Sequence, residues 1–98
     1  MTVYVINHSR KVGKKPLENL GPVVKFDTLK EAKQNLTDLA NFIIESRHKF
    51  ISEEEWKKLG WPEEEIFEQD FGYTVKLYDP ENDQFIVDLY QIHEAEEK

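Results

Sequence analysis

Three features of the sequence predict an α+β domain in which about four antiparallel strands, ordered β-β-α-β-β, pack one face on a single long helix. Apolar residues alternate near both ends of the chain, a capping box opens a long apolar stripe at residue 28, and turn formers divide residues 72–90 into two period-two runs. At 98 residues the chain has room for one compact domain, taken as residues 1–98.

Residues 2–8 place Val3 and Val5 on one face and Tyr4 and Ile6 on the other, which predicts a strand buried on at least one side. Residues 9–21 contain Gly13, Pro16 and Gly21 with few apolar anchors, and read as a long, basic, irregular connection. Pro22-Val23-Val24-Lys25-Phe26 predicts a short second strand. Thr28, three residues before Glu31, then forms a capping box and starts a helix whose Leu29, Ala32, Leu36, Leu39, Ala40 and Ile43 make one stripe. Phe42 and Ile44 widen that stripe, and His48 falls where a helix C-terminus favours a cation.

Ser52 and Glu55 repeat the capping-box spacing, so a short helix is expected through Trp56 and Leu59, ended by Gly60. Pro62 followed by Glu63, Glu64 and Glu65 predicts another short helix to about Gln69, with Ile66 and Phe67 inward. From Gly72 the period is two: Tyr73, Val75 and Leu77, then the turn Asp79-Pro80-Glu81-Asn82-Asp83, then Phe85, Val87 and Leu89 predict a hairpin, with a frayed acidic end after residue 93. Tyr4, Ile6, Tyr78, Ile86 and Tyr90 are expected on the sheet face away from the helix. So many large side chains on one face predict that it is covered, by homo-oligomerisation there or on the free side of the helix.

Composition narrows the class. The chain has 13 Lys and Arg against 20 Asp and Glu, a formal charge of −7, no cysteine and 12% aromatic residues. Enough aromatic and branched side chains are present to offset the entropy of ordering, which excludes a disordered acidic tail. Without cysteine there is no disulfide, thiolate nucleophile or cysteine-ligated metal. The N-terminus opens on an apolar alternation instead of a basic segment and an apolar run, so a cytoplasmic chain without a membrane anchor is expected. Charge is uneven: residues 1–15 carry four cations and no acid, whereas residues 53–98 carry fifteen acids against four lysines. Opposite electrostatic ends are therefore expected, leaving recognition as the activity.

No catalytic signature accompanies that charge. His8 and Ser9 adjoin but point to opposite faces of a strand, and no Gly-x-Ser-x-Gly elbow surrounds them. His8, His48 and His93 share no metal-ligand spacing. Asp79, Glu81 and Asp83 begin like a calcium loop, but Gln84 replaces its glycine and Tyr90 its final glutamate. Accordingly no enzyme, cofactor or metal is expected. In size and composition the chain is similar to accessory proteins of bacteria and their phages, a likeness that transfers no residue.

Three binding readings follow. The first is a non-catalytic adaptor or inhibitor that occupies a protein partner through the acidic segment at residues 53–70, with Trp56, Trp61, Phe67, Glu63 and Glu64 at the contact. The second is an oligomeric binder of a phosphorylated small ligand or nucleotide, clamped by His8, Arg10, Lys11, Lys14 and Lys15 and stacked on Tyr4 or Tyr78; the P-loop pattern is absent. The third is a nucleic-acid mimic that blocks a DNA- or RNA-binding protein, whereas direct nucleic-acid binding is opposed by the acidic excess.

Overall fold

A computed structural model describes residues 1–49 and 51–97. It is α+β, with β1 (Thr2–Val12), β2 (Glu18–Phe26), α1 (Leu29–Arg47), α2 (Glu53–Lys58), β3 (Glu65–Gln69), β4 (Gly72–Asp79) and β5 (Gln84–Glu96). The strands form one antiparallel sheet of five, ordered β2-β1-β5-β4-β3. The expected four strands are thus joined by a fifth, β3, where the sequence suggested a third helix. No helix among the described residues is long and apolar enough to cross a membrane.

Helix α1 begins at Thr28 as predicted, with half of the capping box: the Thr28 hydroxyl accepts from the Glu31 N–H at 3.2 Å, while the Glu31 carboxylate accepts from that hydroxyl at 3.0 Å and not from the Thr28 backbone N–H. Its stripe buries Ala32, Leu36 and Ala40 against Ile6, Val75, Leu77, Tyr90 and Ile92. Those sheet residues define the face under α1, and Tyr4 and Ile86 pack against the same core. The expected assignment of Tyr4, Ile6, Ile86 and Tyr90 to the opposite face is therefore reversed. Only Tyr78 of that group alternates away from α1, since Val75 and Leu77 point toward it. Phe42 does not widen the buried stripe and is exposed.

The first connection is also shorter than expected. β1 continues through the basic residues to Val12 because β5 pairs with it along its whole length, from Thr2 opposite Glu96 to Val12 opposite Ile86. Five residues, 13–17, remain between the strands. The same pairing orders the acidic end that was expected to fray. β2 follows β1 through two bulges, which leave Leu20 and Val23 without a β1 counterpart.

Candidate functional site

The deepest polar feature is Asp88, on the central strand β5 and only 1% exposed. Residues 88, 90 and 92 alternate onto the α1 face, and the β1–β5 register sets Arg10 opposite Asp88 and His8 opposite Tyr90. His8 Nε2 donates to Asp88 Oδ1 at 2.7 Å, Arg10 Nε donates to the same oxygen at 2.7 Å, and Arg10 Nη2 reaches Oδ2 at 3.3 Å. The His8 ring lies flat on Tyr90, centroids 4.4 Å apart and planes within 8°. Hydrogen bonding to Asp88 raises the Arg10 pKa above its ordinary value, and burial raises that of the Tyr90 phenol. Ser9 points to the other face, so this Asp–His pair lacks the adjacent hydroxyl as a nucleophile. Its chemistry is the neutralisation of a carboxylate inside the core.

That arrangement dismantles the expected phosphate clamp. His8 and Arg10 are turned inward to Asp88, while Lys11 belongs to the opposite face of β1 by alternation. Lys14 and Lys15 sit in the turn, beside a shallow depression also lined by Asp83. The Gly13 N–H donates to the Phe85 carbonyl at 2.8 Å and the Lys15 N–H to that of Val12 at 3.1 Å, so neither is offered to a ligand. Tyr4 packs on the α1 core, and Tyr78 points from the other face. The seven residues are not brought together.

The second cluster surrounds Tyr78 at the end of β4. β3 begins at Glu65, opposite Lys76, so the backbone of Tyr78 lies just past the last β3 pair. Side chains replace the missing strand: Glu64 Oε2 accepts from the Tyr78 N–H at 2.9 Å, and Arg47 Nη2 donates to the Tyr78 carbonyl at 2.5 Å. Arg47 Nε stands 2.6 Å from Glu64 Oε2, an ionic contact without hydrogen-bond alignment. Trp56, 6% exposed, meets Trp61 edge-on at 4.8 Å and Tyr78 at 6.2 Å, and its indole donates to the Pro62 carbonyl at 2.7 Å. His48 caps α1, its ring held by the Ile51 carbonyl and set edge-on to Trp56.

The residues expected at a protein contact therefore divide. Trp56 and Glu64 are structural and buried, and Trp61 is half-buried against them. Glu63 and Phe67 are exposed, Phe67 at 48%. Glu53, Glu54, Glu55, Glu65, Glu68 and Asp70 are exposed as well; Glu65 and Phe67 alternate onto one face of β3 and Glu68 onto the other.

The Asp79 turn is a hairpin closure. Asp79 accepts from the Glu81 N–H and from the Asn82 and Gln84 amides, and the Asn82 bond leads in holding its carboxyl below the usual range. The Tyr78 hydroxyl donates to Asp83, which raises the phenol. No group of three or more His, Asp or Glu side chains among the described residues is placed to hold a metal ion.

Residues that sequence reasoning missed are Asp88 and Arg47, along with the apolar side chains of β2. The signal for Asp88 was its place among Ile86, Tyr90 and Ile92 at a spacing of two; a strand acid in phase with three core residues is buried or paired. Compared with protein-family models, curated proteins and solved structures, the chain has no match.

Proposed function

We propose that the chain is a non-catalytic binding module that acts by occupying a basic protein partner through the segment 53–70. The observation that carries this reading is the surface charge there. The segment holds eight acids against Lys57 and Lys58, and of the acids only Glu64 is spent inside. Phe67 and Leu59 remain exposed within it, at 48% and 55%, and an aromatic among acids supplies the desolvated anchor that charge alone does not. Contact rests on Glu63, Phe67, Glu68 and neighbouring carboxylates; Trp56 and Trp61 shape the surface from behind. β3 pairs with β4 alone, so its outer edge is also available to an extended partner segment. A partner whose basic groove normally holds nucleic acid falls within the same reading, with the carboxylates in the place of phosphates.

The test compares tagged native chain with a Glu63→Lys/Phe67→Ser/Glu68→Lys variant in host-cell lysate. All three side chains are exposed, so circular dichroism should match the native chain. The native chain is expected to retain a basic protein in stoichiometric amount, released by about 0.5 M salt as screening shortens the reach of the carboxylates. The variant is expected to retain none. Equal retention by both, or retention indifferent to salt, overturns the reading.

A further inference from the structure

Resting on the reading of segment 53–70 as the contact for a basic partner, we infer that the cavity between the end of α1, α2 and residues 63–64 receives the side-chain ammonium group of a lysine on that partner. The cavity has a volume of about 230 Å³ and is lined by His48, Glu53, Trp56, Lys57, Glu63 and Glu64. That is below the roughly 300–1,000 Å³ of sites that hold drug-sized ligands, and it suits a single side chain. Three carboxylates meet one lysine in the lining; Arg47, paired with Glu64, offsets a second charge, and the remainder is negative.

The state of Glu64 is what points to a ligand. Its side chain is 1% exposed, and its two oxygens are used unequally. Oε2 accepts from the Tyr78 N–H and faces Arg47 Nε, whereas Oε1 is buried without a hydrogen-bond partner among the described residues. A carboxylate oxygen withdrawn from water requires a donor. Arg47 does not supply it, because its Nε–H has no aligned acceptor of its own.

The chemistry of the occupant follows from the other lining groups, most of which also accept. His48 Nδ1 lies 3.1 Å from the Ile51 carbonyl, which can only accept, so Nδ1 carries the ring proton and Nε2 of the neutral ring keeps a lone pair. Glu53 and Glu63 add exposed carboxylates, and Trp56 adds an aromatic wall that favours a cation. Lys57 is exposed and forms no ion pair with these acids among the described residues. Such a lining fits a group that is positively charged and only donates, which is an ammonium with its three N–H bonds. A guanidinium fork is matched by both oxygens of one carboxylate, and Glu64 has only one free. Among the described residues His48 and the acids are not grouped to hold a metal ion, which leaves an organic cation.

The indole N–H resonances of the purified chain read the site, since Trp56 lines the cavity and the Trp61 ring is centred 4.8 Å from that of Trp56. Butylammonium chloride and lysine capped at both ends are each expected to shift them saturably at about 1–10 mM, the range open to ligands of so few atoms. Butanol, the same capped lysine acetylated on Nζ, and sodium chloride at equal ionic strength should not. Glu64→Gln keeps an oxygen for the Tyr78 N–H but removes the charge, and is expected to weaken the binding of capped lysine at least about tenfold. Should that variant lose its native circular dichroism, Glu53→Gln/Glu63→Gln carries the test. Both of those side chains are exposed, and the double variant is expected to bind about threefold more weakly. Equal shifts from capped lysine and its acetylated form overturn the inference, as does unchanged affinity in the folded variant. Binding of butylammonium without binding of capped lysine overturns it too, because the ligand is then a free amine. A flat titration beside a basic protein retained from lysate overturns this inference alone, whereas saturable binding of capped lysine with no protein retained supports the cavity and overturns the contact.

Discussion

Asp88 shows how one buried side chain takes up Arg10, one of the four N-terminal cations. A carboxylate taken out of water is tolerated only when its oxygens are satisfied and its charge is met. His8 and two nitrogens of Arg10 do both, and the stack of His8 on Tyr90 fixes the ring from which the bond is made. Asp88→Asn removes the charge while keeping the shape, leaving an amide that faces two donors and an Arg10 without its counter-ion. Because the Arg10 left behind is partly open to solvent, the variant is expected to lose about 1–3 kcal/mol, read as a lower urea midpoint with an unchanged slope. Wild-type stability in Asp88→Asn would mean that the pair is incidental. The electrostatic division along the sequence was legible from composition, but its spatial meaning was not. Arg10 looked like one member of a basic loop because a period of two says which face a residue takes, not which strand lies beside it; the register of β1 on β5 decides that.

At the scale of elements, local signals and tertiary demands can be separated by comparing two neighbouring segments. Thr28 with Glu31 and Ser52 with Glu55 both read as helix starts, and both hydroxyls accept from the N–H three residues on, at 3.2 and 3.3 Å. Thr28→Ala is expected to cost about 1 kcal/mol, measurable as a drop of about 4–8 °C in Tm; an unchanged Tm would assign the helix entirely to its packing. Pro62 with three glutamates carried a similar signal, yet the chain there is extended. Ile66 enters the core as part of β3 and Glu64 reaches the N–H of Tyr78, whereas a helical turn would serve neither. Nothing in residues 62–65 announces the need of a strand thirteen residues later. The hairpin of β4 and β5 was legible because its turn residues are local. The crowding at Gly72, where a Cβ would collide with the Tyr90 carbonyl oxygen, was not, because it depends on the partner strand.

For the whole molecule, two terms compete for the same small margin of stability. The core under α1 is thin for a chain 52 Å long, and residues 53–98 carry eleven more acids than cations. Besides the two buried or half-buried clusters, the ion pairs among the described residues are Met1 with Glu96 and Lys25 with Glu97, both at exposed positions that contribute little. Repulsion among the remaining carboxylates therefore opposes folding and should be screened by salt, the Debye length falling from about 20 Å near 0.02 M to about 4 Å near 0.5 M. Tm is expected to rise by a few degrees over that range, roughly the effect of 1 kcal/mol in a domain of this size. In Glu63→Lys/Glu68→Lys the dependence of Tm on salt should shrink, because two of those carboxylates become cations. A native Tm that falls as salt is added would show that attractive surface pairs outweigh repulsion, and the acidic face would then be neutralised within the chain and not held open for a partner.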